Sequence, residues 1–81
     1  MSEVAEQVRK KALCARLARV EGQLRGLQKL IQSDADSEKV AQQMAAARKA
    51  LDKAFFAMIS GKIAEGSLSA DDVAKLLLRF A

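Results

Sequence analysis

The chain contains no histidine, and this absence excludes several kinds of chemistry. Without an imidazole there is no histidine general base, no Cys-His dyad and no histidine metal ligand. The carboxylates stand mostly beside basic residues, as in Asp52-Lys53, which is typical of a solvated helix face rather than of a catalytic pair. We therefore expect neither an enzyme nor a cofactor.

Cysteine occurs once, as Cys14, so no disulfide can form within one chain and a reducing compartment is expected. Because Cys14 follows the apolar Leu13, a packed and inert thiol is favoured over a redox sensor. The first 11 residues are too charged for a signal peptide. The longest apolar run, residues 54–59, is too short to span a membrane. A cytoplasmic protein is predicted.

Proline, tryptophan and tyrosine are also absent, glycine occurs four times, and 51% of the residues are hydrophobic. Such a chain, rich in Ala, Leu, Lys, Arg and Glu, has the composition of long helices, and strands are not expected. With 81 residues, the chain is predicted to form a single all-α domain over residues 1–81.

Apolar residues recur at alternating steps of four and three in the first part of the chain, a heptad pattern. They are Leu13, Leu17, Val20, Leu24, Leu27 and Ile31. The pattern predicts a helix over about residues 3–32, roughly 45 Å long at 1.5 Å per residue. A monomer of this size cannot cover so long a stripe, so a homodimer or homotetramer is expected.

A polar segment, residues 33–37, predicts a tight turn, and a second long helix should run antiparallel to the first over about residues 35–64. Gly61 and Gly66 favour a helix end between them. Ser69 then resembles a helix N-cap, which predicts a short helix over about residues 70–80. Gly22 and Gly26 lie inside the first helix, where close helix packing is favoured over close approach to a ligand.

The net charge is +4, and all of the excess lies in residues 1–32, which hold seven basic and three acidic residues. A basic segment suggests an anionic partner, either nucleic acid or a membrane surface, although a solvated helix face is the commoner explanation. The membrane is the weaker alternative, because the apolar stripe is a narrow seam without Trp or Phe. Any contact with DNA would use helix faces and phosphates.

Two segments resemble the CsoR/RcnR/FrmR family of bacterial metal- and formaldehyde-responsive repressors. The first reads RLARVEGQLRGLQKLI over residues 16–31, and the second reads QMAAARKALDK over residues 43–53. The resemblance implies a dimer built as an antiparallel four-helix bundle, paired again into a tetramer that binds operator DNA. The family's DNA-contacting positions correspond to Arg9, Arg16 and Lys53, which are all basic here.

The family's sensing positions are altered. Where relatives have a cysteine, then a histidine and a cysteine one turn apart, this chain has Ser37, Lys62 and Gly66. None of these is a good ligand for copper or nickel, so no metal is expected, and the loss of the first cysteine also excludes the formaldehyde variant. The resemblance further predicts that Lys62 lies near Asp36 and Ser37 of another copy, and the alternative is a Lys62 that simply points into water.

The sequence therefore predicts a DNA-binding transcriptional repressor that has lost the usual sensing site. The alternative is a helical interaction subunit that pairs with a partner protein and tunes it without binding DNA.

Overall fold

The computed structural model describes residues 3–81, which form three helices and, within that range, no strand. Helix α1 is Glu3–Gln32, helix α2 is Ser37–Glu65 and helix α3 is Ala70–Phe80. The all-helical prediction of two long helices followed by a short one is confirmed. None of the helices in the described chain is long and apolar enough to cross a membrane.

The turn between α1 and α2 determines where the second helix begins. Asp34 adopts a positive φ of 56°, and the backbone N–H of Ala35 donates to the Leu30 carbonyl at 3.0 Å. Asp36 has extended backbone, and its carboxylate accepts from the Lys39 N–H at 2.8 Å as an N-cap. The helix starts one or two residues after the predicted start at about Ala35 or Asp36, because Asp36 acts as the cap and Ser37 is the first helical residue.

A left-handed glycine ends α2. Gly66 has a φ of 77°, its N–H donates to the Ile63 carbonyl, and the Ser67 N–H donates to the Lys62 carbonyl. This pair of hydrogen bonds is the Schellman arrangement, in which a residue without Cβ is strongly favoured at the position of Gly66. The identity of residue 66 is thus explained by the helix end itself.

A capping box starts α3. The Asp72 N–H donates to the Ser69 hydroxyl at 3.1 Å, and the Ser69 N–H donates to the Asp72 carboxylate at 3.0 Å. The hydrogen bond from the Ser69 N–H, and after it one from the Ser69 hydroxyl, favours the ionised carboxylate and lowers the pKa of Asp72 below its ordinary value. The rest of α3 is partly or fully exposed, and Leu78 shows 88% of its surface.

The core is a thin seam between α1 and α2, which the short turn holds antiparallel. The buried apolar residues are Val20, Leu27, Ala47, Ala54 and Ile59. Other members of the α1 stripe remain open, with Leu17 at 40% and Ile31 at 53% exposure. One hairpin therefore covers only part of the apolar surface that the heptad pattern supplies.

The dimensions of the chain lead to the same conclusion. Its extents are 49 × 29 × 12 Å and its radius of gyration is 16.1 Å, whereas a compact domain of this length has about 12 Å. Its accessible surface is 6242 Å², against about 4,800 Å² for a typical monomer of this mass. A chain with so much surface and so small a core needs further apolar contacts for stability.

Candidate nucleic-acid interface

A groove of about 390 Å³ lies between α1 and α2 and is lined by basic side chains. Arg16 and Arg19 come from α1, and Lys49 and Lys53 come from α2. On each helix the two residues are three or four positions apart, so they share one face. The lining is completed by Gln23, Ala46 and Ala50. The antiparallel hairpin thus brings four cations from two distant stretches of sequence onto one surface.

The groove has a strongly uneven electrostatic character. All four cations are exposed, and no acidic residue of the described chain belongs to its lining. Within residues 3–81 none of the four takes part in an ion pair, since the ion pairs of Lys62 with Glu65 and Lys75 with Asp71 lie elsewhere. Like charges held together without a carboxylate attract an anion, and a phosphate group is a suitable one.

The structure brings together two of the three residues that the resemblance assigned to DNA. Arg16 and Lys53 both line the basic groove. Arg9 lies further from the α1–α2 turn than the basic groove does, in a small cleft with Gly61, Lys62 and others. Its Cδ is 3.6 Å from the place where a Cβ on Gly61 would stand, an ordinary van der Waals distance, so the arginine stem lies against α2. A DNA surface that includes all three must therefore extend along the hairpin.

Sequence reasoning had counted Arg19 and Lys49 only as general basic charge and had not selected Gln23. A usable signal was present, because Arg16, Arg19 and Gln23 follow one another at steps of three and four. Lys49 and Lys53 are likewise four positions apart and so share one face of α2. Only the register of the hairpin shows that this face lines the same groove as the α1 residues.

The altered sensor positions lie at opposite ends of α2. Ser37 is its first residue, whereas Lys62 is 25 positions further on, about 38 Å away at 1.5 Å per residue. A site that used Ser37 together with Lys62 and Gly66 could therefore form only between two copies. Within residues 3–81 no cluster of three or more Cys, Asp or Glu side chains is arranged to hold a metal ion.

Lys62 has a partner within its own helix. Its ammonium nitrogen is 3.4 Å from Oε2 of Glu65, whose side chain is 9% exposed. The expected proximity to Asp36 of another copy stays a prediction. A structure of the assembled protein tests it: the prediction fails if the ammonium nitrogen of Lys62 lies far beyond about 4 Å from every carboxylate of the other copy.

Two further expectations from sequence are not met within one chain. Cys14 is exposed rather than packed. Gly22 and Gly26 have no neighbouring atom within 4 Å of an added Cβ. Close packing against α2 therefore does not account for either glycine, and the space beside them is open to another copy or to a ligand.

Comparison with known families gives one finding, and comparison with curated proteins and with solved structures gives no significant match. The profile described as "Metal-sensitive transcriptional repressor" matches residues 9–77. The match covers most of α1, all of α2, the basic groove and most of α3. Its members are DNA-binding repressors that oligomerise, not enzymes. The chain belongs to the family of metal-sensitive transcriptional repressors.

Proposed function

We propose that this repressor works as a homodimer or homotetramer that holds operator DNA with Arg9, Arg16 and Lys53 and no longer senses metal. The observation that carries the proposal is the basic groove, which gathers four exposed cations and no carboxylate of the described chain. Nucleic-acid backbones are recognised by such cations, which neutralise phosphates whatever the base sequence. Because a repressor acts on chromosomal DNA, we also propose a cytoplasmic location.

Assembly follows from the uncovered half of the apolar stripe. Two hairpins that bury Leu17, Leu24 and Leu51 against each other would form a four-helix bundle. The basic groove lies on a different side of the hairpin from these residues, because its lining includes none of them. Each added copy would therefore contribute another set of cations to one DNA-facing surface. A dimer or tetramer would bind DNA more tightly than its separate chains, since later contacts are made within one complex.

The loss of metal sensing is supported by the residues that occupy the sensor positions. Ser37 offers a hydroxyl, Lys62 an ammonium paired with Glu65, and Gly66 no side chain at all. A soft metal such as Cu(I) prefers thiolates and imidazoles, which none of these supplies. Gly66 also ends α2 in a left-handed conformation, so a cysteine there would strain the backbone.

DNA binding in the presence of possible inducers tests the proposal. Promoter fragments are recovered from cells by cross-linking and precipitating the tagged protein, and their affinity is then measured by fluorescence anisotropy. We expect specific binding that changes less than about twofold on adding Cu(I), Ni(II) or formaldehyde, since the ligand positions are gone. Failure to recover any promoter fragment would contradict the repressor function.

Cys14 provides the control for that experiment, because it is the only thiol in the chain and is exposed. If an added metal or formaldehyde does shift the affinity, the Cys14→Ala variant shows where it acts. A shift that persists in Cys14→Ala would mean that a sensing site survives elsewhere. A shift that disappears would identify Cys14 as the responsive group, and insensitivity to inducers would have to be abandoned.

A further inference from the structure

The amide of Gln23 lies in the basic groove with an unsatisfied oxygen. Its Oε1 atom is buried and has no hydrogen-bond partner, although the residue lines the groove. Buried polar atoms in proteins are nearly always paired, so an orphaned amide inside a charged groove calls for an explanation. With the oxygen turned inward, the NH₂ of the same amide is the half that remains available to a ligand.

Arg19 is placed to complete the hydrogen bonding of this amide. It precedes Gln23 by four residues on α1, the spacing at which two helical side chains meet. A guanidinium carries five donors and no acceptor, so it can donate to Oε1 of Gln23 and to an anion at the same time. In the structure Arg19 is exposed and does not donate to Oε1 of Gln23. If a bound anion drew the guanidinium over the groove, Arg19 could donate to the anion and to Oε1 of Gln23 together.

Lys49 supplies the matching charge from the other wall. It stands four residues before Lys53 on α2, and the neighbouring Ala46 and Ala50 leave the floor of the groove open. Small side chains at these positions let an anion approach the helix surface while the longer lysines reach it from the side. The same groove thus offers planar donors from α1 and flexible point charges from α2.

We propose that Arg19, Gln23 and Lys49 complete, with Arg16 and Lys53, one cleft that binds a phosphodiester group of the DNA backbone. A phosphodiester has only acceptor oxygens, so every group that faces it must donate. The Gln23 NH₂ donates to one phosphate oxygen, while Arg19 donates to another and to the Gln23 carbonyl. This inference rests on the proposed DNA-binding function and adds three residues, one of them uncharged, to the surface that carries it.

The test compares variants of the full chain in binding a labelled random-sequence duplex of about 40 base pairs, since binding to phosphates does not depend on sequence. We expect Arg19→Ala and Lys49→Ala each to weaken binding about tenfold at 100 mM salt. Each should also lower the salt slope by about one for every phosphate that the variant no longer neutralises. The matched controls are Arg25→Ala on α1 and Arg48→Ala on α2, which remove the same charge outside the groove.

Gln23 is tested by two substitutions that differ in charge. Gln23→Glu keeps the shape but puts a carboxylate where the phosphate should lie, so it should weaken binding more than Gln23→Ala does. Helicity and melting temperature show whether either variant is folded. If the Gln23 variants fail to fold, the Arg19 and Lys49 variants still test whether the cleft binds the DNA backbone. Both side chains are exposed, so their removal leaves the core intact.

The outcomes separate this inference from the function on which it rests. If Arg16→Ala weakens binding while Arg19→Ala and Lys49→Ala behave like the controls, the cleft is wrong and the DNA-binding function stands. Binding of Gln23→Glu at the parent's affinity would also overturn the cleft. If the parent shows no salt-dependent binding to the duplex, the proposed function and the cleft both fail.

Discussion

The double variant Arg16→Ala, Lys53→Ala should bind duplex DNA about 100-fold more weakly than the parent at 100 mM salt while remaining folded. Both side chains line the basic groove and are exposed, so their removal leaves the core unchanged. Each copy in the assembly would neutralise two fewer phosphates. The total loss of electrostatic binding free energy therefore grows with the number of copies bound to the duplex. Anisotropy titrations give the affinity, and circular dichroism gives the helicity.

The control for this variant is Lys29→Ala, which removes a basic residue in the last turn of α1, outside the groove. Arg9→Ala should have a smaller effect than either single groove variant, because Arg9 lies apart from the groove with its stem against α2. A triple variant adds Arg9→Ala to the double variant. If both the double and the triple variant bind DNA like the parent, the assignment of the DNA surface is wrong.

Leu17→Asp should abolish assembly and leave the chain largely unfolded at micromolar concentration. Leu17 is 40% exposed and lines an apolar groove of about 540 Å³ with Leu51, Phe56, Phe80 and others. Fully covering an exposed leucine stabilises a protein by about 1.5–3 kcal/mol, and covering the 40% of Leu17 that is still exposed contributes a share of this. The substitution replaces that gain with a carboxylate that must be desolvated. Two or four copies of the change would exceed the stability of so small a domain.

Sedimentation and light scattering measure the assembly, and thermal melting measures the folding. Ala18→Asp is the control: it adds the same charge at the next position, which is exposed and outside the apolar groove. That variant should remain assembled, with only the modest loss of stability expected from helix propensity. A Leu17→Asp protein that is folded, helical and monomeric would show that one hairpin is stable alone and that the exposed stripe has another purpose.

The helices could be predicted where local signals agree. The C-terminal end of α1 follows from the polar residues after Gln32, and the end of α2 follows from Gly66. The start of α2 could be predicted only to within one or two residues, because Asp34, Asp36 and Ser37 are all good caps by composition. Only the backbone conformation and the hydrogen bond to Lys39 identify Asp36 as the one that caps.

The candidate site could be predicted only in part. Arg16 and Lys53 came from the resemblance, whereas Arg19 and Gln23 were not selected, although their spacing from Arg16 on α1 was a usable signal. That Lys49 and Lys53 face them depends on the register of the hairpin, which a short turn fixes in three dimensions. The orphaned oxygen of Gln23 could not be foreseen, because burial of one atom depends on the packing of both helices.

Gly22 and Gly26 illustrate the opposite case, in which a clear sequence signal has no partner in the hairpin. Glycine inside a helix costs about 1 kcal/mol relative to alanine, so the pair was expected to pack against a neighbouring helix. The space beside both is open. Gly26 follows Gln23 by three residues and Arg19 by seven, so it lies on the α1 face that also lines the basic groove. A missing side chain there would allow the DNA backbone to approach the helix closely.

The salt dependence of DNA binding by the unmodified protein tests the central claim most directly. A repressor whose copies together neutralise six or more phosphates should lose affinity linearly on a double-logarithmic plot. The loss should be about a thousandfold or more between 50 and 200 mM salt. Weak binding that stays the same at every salt concentration would contradict the claim, and it would instead be the behaviour of a helical subunit that tunes a partner protein without binding DNA.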